Sequence, residues 1–139
     1  MNAARIEERL RAARVARLST VGSAGAPTLV PFCFVLEDDH LYSAVDDKPK
    51  RTRRLQRMAN VGRDPRVAVL VDHYEEDWRR LWWVRIDGEA RAVDSAEEES
   101  HAIDLLAAKY PQYRARRPAG PVLRIDIVRR RAWSGDAAG

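Results

Sequence analysis

The chain has 139 residues, 45% hydrophobic and 33% charged, with a net charge of +4 and a pI near 9.6. That length fits one domain, residues 1–139, able to bury a core without covalent staples. Cys33 is the only cysteine, which excludes an internal disulfide. No stretch approaches the ~20 apolar residues of a membrane span, and the first residues lack the apolar core of a signal peptide. A cytoplasmic location with no membrane partner is therefore the expectation.

Residues 3–14 place Ile6, Leu10 and Ala13 at helical spacing, with arginines on the other face. Val15 to Val21 alternates as a strand does, and the Gly22–Pro27 cluster is a turn. Thr28 to Leu36 reads as a second strand whose near-continuous apolar run predicts burial on both faces. Pro31 inside it demands an edge, a bulge or a special backbone site, and Cys33 is expected to be a buried, inert thiol. Glu37-Asp38-Asp39 turns the chain into a strand at His40–Val45.

A helix is predicted at about 51–60, then a strand at Val67–Val71 and an acidic loop at 74–80 that carries Trp78. Leu81 to Val93 is a long strand with Gly88 marking a bulge. Ser95 opens a helix that carries Glu97, Glu98 and Glu99 in its first turn and ends at Pro111. Pro121 to Val128 alternates as a last strand, followed by a tail. The expected class is mainly β with peripheral helices, about six antiparallel strands and three helices, closed as a small barrel or packed as a sandwich.

The segment Lys48 to Arg57 holds six cations and no acid at the start of the predicted helix. Clustered cations there oppose the helix dipole, at roughly a few tenths of a kcal/mol each. Such a break with a local rule points to function. Three readings stand: a solvated face, a nucleic-acid patch, and a small-anion site. Aromatic residues are not interleaved with the cations, which weakens the second. The helix-start context favours the third, a phosphate or polycarboxylate held by N–H groups, Thr52 and the cations.

Trp82 and Trp83 are adjacent on a strand and must point to opposite faces; one can lie in the core while the other faces outward, the alternative being that helices bury both. An outward tryptophan suggests an interface or a ligand wall. The run Asp72–Asp77 matches no metal-binding signature, so no metal is expected and a solvated loop is preferred. His40 and His101 are read as isolated surface residues. The serines lack a nucleophile-elbow context, and there is no phosphate loop or dinucleotide fingerprint. With no self-contained catalytic machinery in view, a bound cofactor would supply the chemistry.

Six phrases together resemble the flavin/deazaflavin split β-barrel family, that of pyridoxamine 5'-phosphate oxidase and its relatives that use coenzyme F420. They are Ala16–Val21, Pro27–Phe32, Leu41–Asp46, Lys48–Thr52, Asp64–Ala68 and Leu81–Gly88. Their order and spacing span roughly residues 5–133, and the likeness is to the branch of probable F420-dependent enzymes. The resemblance implies a split β-barrel, a homodimer with cofactor sites at its interface, and a small-molecule acceptor rather than nucleic acid. It places Ser43, Lys48, Lys50, Arg51 and Thr52 at the cofactor phosphate and Val30, Pro31 and Phe32 along the ring. Trp83 and Arg85 would contribute from the partner subunit, and Trp133 would close the site. Trp78 is expected over the substrate cleft.

Two departures separate the chain from vitamin B6 oxidases. Thr28 to Cys33 carries none of the basic residues that help those enzymes hold the flavin phosphate, and Trp133-Ser134-Gly135 stands where they have an Arg-Leu-type substrate motif. The surplus of cations near Lys48 suits a longer anionic tail, which favours F420 over FMN. The expected function is hydride transfer between reduced F420 and an activated organic acceptor. The alternatives are an FMN-dependent oxidase or reductase, and a non-enzymatic module that binds a flavin, a deazaflavin or haem.

Overall fold

The computed structural model describes the backbone of residues 1–45 and 51–136 and the side chains of 1–45 and 56–136. Helix α1 spans Ala3–Ala12, capped by Asn2, whose side-chain oxygen accepts from Arg5 N–H at 2.9 Å. The strands β1 (Ala16–Thr20), β2 (Val30–Phe32), β3 (Val35–Glu37) and β4 (His40–Ala44) follow. Next come α2 (Arg51–Arg63), β5 (Arg66–His73) and β6 (Trp82–Ala92), then α3 (Ala96–Lys109), α4 (Pro111–Ala115) and β7 (Val122–Ser134). All seven strands join one antiparallel sheet in the order β2-β1-β5-β6-β7-β4-β3.

The strand predicted over 28–36 is in fact two short strands that form the two opposite edges of this sheet. Strands lie about 4.8 Å apart, so a flat seven-stranded sheet would separate its edges by roughly 29 Å. Cys33 and Phe34 alone link β2 to β3, and that step reaches about 11 Å at most. The sheet must therefore curl into a barrel that stays open at this link. Phe34 is fully buried and plugs the opening, its ring 5.7 Å from that of Phe32. Cys33 is only half-buried, not interior as expected. Pro31 is exposed on an edge strand, where its missing N–H costs nothing, so β2 is not buried on both faces.

The link leaves backbone groups that no strand satisfies, and the end of α3 supplies them. The Tyr110 hydroxyl accepts from Phe34 N–H at 3.1 Å and lies 3.1 Å from the Phe34 carbonyl and 3.0 Å from that of Arg14. Lys109 Nζ donates to the Phe34 carbonyl at 2.9 Å and sits 4.1 Å from the Phe34 ring centroid. Burial pushes the Tyr110 phenol up to about 12. Burial, helped by the charge of Arg14, pushes the Lys109 amine down to about 8.

Two cores flank the sheet. Leu10, Leu18, Phe34, Val69, Val84 and Ile86 fill the barrel interior, with Val61 of α2 among them. Tyr42, Ala44, Ile103, Leu106 and Val122 pack α3 against the other face of β4. Glu98 ties α3 to the sheet: its carboxylate accepts from Tyr42 Oη at 2.7 Å and from Arg124 at 2.6 Å. Burial and that carboxylate together raise Tyr42 to about 12. Gly88 sits at the register shift between β6 and β7. A Cβ there would fall 2.8 Å from both the Asp126 carbonyl oxygen and an Ile125 methyl, so the bulge needs glycine.

Four further expectations change. β7 continues to Ser134, and α2 to Arg63, because pairing with β6 and burial of Val61 extend them beyond the sequence pattern. Among the described residues the α-helices number four, α4 being a short turn that opens at Pro111. His40 and His101 are not isolated: they meet Glu37 at 3.1 and 2.7 Å. Burial pushes that carboxyl up, but the two histidine bonds outweigh it and hold it below its ordinary value. Among the described residues, no helix is long and apolar enough to cross a membrane.

Tyr110→Phe keeps the ring and leaves Phe34 N–H buried without its acceptor, so urea denaturation should show a loss of about 1–3 kcal/mol. A loss below ~0.5 kcal/mol would refute the role given to this hydroxyl. Lys109 adds a pH signature. Between about pH 8 and 10.5 the unfolded chain keeps a proton that the folded chain has released, so this group makes stability rise with pH across that window. In Lys109→Met that rise should be missing, which unfolding curves of both proteins across the same window would reveal.

Candidate functional site

Three hollows lie around one end and one face of the barrel. The first, about 200 Å³, opens where β1 and β2 meet α2 and is walled by Thr20, Thr28, Val30, Gln56, Arg57 and Asn60. Its floor is rigid. The Thr20 and Thr28 hydroxyls lie 2.7 Å apart, Asn60 Nδ2 donates to Thr20 Oγ1 at 3.1 Å, and Asn60 Oδ1 accepts from Arg63 at 2.6 Å. Thr20 and Asn60 are nearly fully buried, so these bonds fix the roll of α2 against the sheet. The wall offers one apolar surface, Val30, and several amide and guanidinium donors facing it. That donor set fits the polar edge of a planar ring or an anionic group.

The second hollow, about 370 Å³, lies on the outer face of the sheet. Cross-strand register aligns Asp72, Trp83 and Trp133 in one row and Arg17, Leu70, Arg85 and Arg131 in the next. Leu70, Trp83, Arg85 and Trp133 all wall the hollow. Trp83 keeps 36% and Trp133 46% of its surface exposed, so the two rings form an adjoining exposed aromatic patch. Trp82 turns the other way and packs on the barrel core, as adjacent strand residues must.

A third hollow, about 500 Å³, is far more polar. Arg5 and Arg9 of α1, Arg79 and Arg80 of the turn before β6, His73 and Trp82 line it. The Trp78–Arg80 turn is a single 3-10 turn capped by Asp77, whose carboxylate accepts from Arg79 N–H at 3.2 Å. Gly135 locks that turn to the end of β7: its N–H donates to the Leu81 carbonyl at 2.8 Å, and a Cβ at 135 would collide with the Trp78 carbonyl.

The structure gathers some of the sequence-predicted residues and separates others. Val30 faces the first hollow, but Phe32 points into the barrel core and Pro31 lies on the outer face opposite Arg17. Trp83, Arg85 and Trp133 do come together. Ser43 is buried in β4 opposite Leu123. Lys48 and Lys50 lie outside the described residues. Arg51 and Thr52 open α2, with their side chains outside the description. Trp78 is 68% exposed and walls none of these three hollows. Instead of a purely solvated loop, Asp72–Asp77 contributes His73 bonded to Glu75 and Asp77 paired with Arg79. Gln56 and Arg57 close the cationic segment that the sequence singles out, whereas Thr20, Thr28 and Asn60 were missed. Helical spacing of Gln56 and Asn60 beyond the cationic start was the available signal.

The chain matches the family model of pyridoxamine 5'-phosphate oxidase over residues 3–134. No curated protein matches it. Among solved structures, a conserved hypothetical protein from Mycobacterium tuberculosis is similar with a TM-score of 0.80 at 23% identity, covering 97% of this chain and 86% of its own. An FAD-binding protein from Mesorhizobium loti gives 0.69 at 24% identity, covering 95% and 94%. The haem storage protein HutZ from Vibrio cholerae gives 0.71 at 14% identity, covering 95% and 93%. At these identities the structural likeness establishes the fold. The family match goes further: the chain belongs to the pyridoxamine 5'-phosphate oxidase family.

Proposed function

We propose that this member of the pyridoxamine 5'-phosphate oxidase family is a dimeric oxidoreductase that binds the deazaflavin F420. The observation that carries the reading is the meeting of Val30 with Gln56, Arg57 and Asn60 around one hollow. It joins the strand expected along a ring to the helix whose first residues are expected to hold its anionic tail. When bound, the reduced ring supplies hydride to an activated organic acceptor. The chain's own residues bind and orient. Val30 offers an apolar surface, the α2 amides and Arg57 offer donors to polar ring atoms, and Lys48, Lys50, Arg51 and Thr52 take the tail. Trp83 and Trp133 exclude water from the acceptor side, which strengthens every polar contact made there. No protein acid or base is assigned.

A flavin, FMN, is the second reading, favoured by the FAD-binding neighbour of the same fold. A binder without turnover is the third, favoured by the haem storage neighbour. Titration of the apo-protein's tryptophan fluorescence with F420 and separately with FMN decides among them. Micromolar or tighter F420 binding with weak FMN binding is expected. The reverse order would move the protein to the FMN reading, and binding without turnover across an acceptor panel would support a carrier. Arg51→Ala should cost roughly 1.5–3 kcal/mol of F420 affinity by losing one charge-assisted bond. Unchanged affinity in calorimetry would remove Arg51 from the site.

The dimer is expected to form through the outer face of the central strands, where Leu70 and Trp83 are exposed beside Arg17 and Arg85. Leu70→Asp puts a charge in the middle of that surface. Sedimentation should show wild-type dimers and Leu70→Asp monomers. A wild-type monomer, or a variant that stays dimeric, would place the interface elsewhere.

A further inference from the structure

The third hollow belongs to the opposite side of the sheet from Trp83 and Leu70. Cross-strand register puts His73, Trp82 and Ser134 in one row, and the next row, Asp72, Trp83 and Trp133, faces the other way. Trp82 packs on the barrel core. The hollow beside it lies between α1 and the Trp78–Arg80 turn, apart from the surface given above to the cofactor and the dimer. One acid of the chain already enters it. The Asp136 carboxylate accepts from Arg5 at 2.7 Å and from the Ser134 hydroxyl at 2.8 Å. Arg79 is held by Asp77, and Arg80 lies 3.6 Å from Glu75. Arg9 differs. Its guanidinium carbon lies 4.8 Å from the centroid of the Trp82 ring, and among the described residues it makes no ion pair. An indole face takes the flat side of a guanidinium and leaves its N–H edge to an acceptor.

Asp136 displays the chemistry that these arginines hold, and it engages only part of it. A carboxylate is planar and serves one fork, as Asp136 serves Arg5. Arg9 and Arg80 enter the same hollow from two different elements, the helix and the turn. An acceptor with oxygens in several directions meets both forks at once, and a phosphate group has that shape. We propose that this hollow binds a small phosphate monoester, its phosphate set among Arg5, Arg9 and Arg80 and competing with Asp136 for Arg5. The hollow measures about 500 Å³, which leaves room for the organic part of such a molecule. The proposal does not rest on the cofactor reading, because none of these residues belongs to the hollow at Val30 or to the exposed face of Trp83.

Calorimetry of the full chain with glycerol 3-phosphate, in a phosphate-free buffer of low ionic strength, tests the site. Glycerol 3-phosphate should bind roughly tenfold more tightly than malonate, whose planar carboxylates satisfy fewer forks. Arg9→Leu should weaken binding roughly tenfold by removing a charge-assisted bond, and Arg80→Gln, on the exposed turn, should weaken it as well. Asp136→Asn should act in the opposite sense and tighten binding several-fold, because Arg5 is released from the chain's own acid. Arg116→Gln removes the same charge from an exposed position outside the hollow and should leave binding unchanged. Absence of heat with glycerol 3-phosphate, equal affinity for malonate, or weaker binding in Asp136→Asn would overturn the proposal. An equal loss in Arg116→Gln would do so too, by reducing the effect to net charge. Displacement of glycerol 3-phosphate by F420 or FMN would assign the arginines to the cofactor instead. Phosphate binding that persists while neither cofactor binds would sink the cofactor reading and leave this site standing.

Discussion

A two-residue link between opposite edges of a seven-stranded sheet is the constraint from which the rest of this molecule follows. Phe32 and Val35 belong to strands that a flat sheet would hold roughly 29 Å apart. The chain gives them two residues, Cys33 and Phe34, to cross that distance. Closure is thus dictated by connectivity, while hydrophobic burial decides which face ends up inside. The opening at the link is a defect in the hydrogen-bonded ladder, and buried backbone groups at a defect must find partners elsewhere. Tyr110 and Lys109 supply them from the end of α3. This explains why a helix remote in sequence packs where it does, and why a lysine sits under a phenylalanine ring with its amine pushed down to about 8.

Curling also separates the two kinds of surface that the functional reading needs. Inside, Leu18, Val69, Val84 and Ile86 pack into one buried core. Outside, the central strands β5, β6 and β7 present Leu70, Trp83 and Trp133 in adjoining rows. At one end, α2 rests on β1 through Asn60 and Thr20. The hollow beside Val30 exists because two small hydroxyls, Thr20 and Thr28, bond to each other and to the helix where larger side chains would fill the space. The rigidity of that floor matters for binding, since a preformed site does not spend affinity on ordering its own groups.

Much of this was legible in the chain. Alternation located the strands, Gly88 marked the bulge, and two adjacent tryptophans announced one inward and one outward ring. What could not be read was the division of Thr28–Leu36 into two edges of the sheet, because an apolar run looks alike whether it is one central strand or two short ones. The extent of β7 was hidden for a related reason. Arg129, Arg130 and Arg131 break the apolar alternation, yet the strand continues because β6 supplies a full ladder and Asp87 and Asp39 form ion pairs with Arg129 and Arg130. The resemblance gave the family and pointed to Val30, Trp83 and Trp133. It could not show that Phe32 is buried in the core while Val30, two residues earlier on the same face, reaches the hollow, since that depends on how α2 seats against β1.

The choice of cation carries the argument one step further. Of 25 basic residues only three are lysines, Lys48, Lys50 and Lys109. A general bias toward arginine would not by itself place the arginines at particular sites. Arg9 on Trp82, Arg85 across from Leu70 and Arg57 beside Val30 all lie against apolar or aromatic surface at hollows. A guanidinium is weakly hydrated and planar, so it tolerates such a neighbour and still presents a fixed fork to an acid, whereas an ammonium there would lose its water for less return. Lys109 is the counter-example that supports the rule: desolvated beneath Phe34, its amine is pushed down to about 8. The distribution puts the planar cation where apolar or aromatic surface borders a hollow.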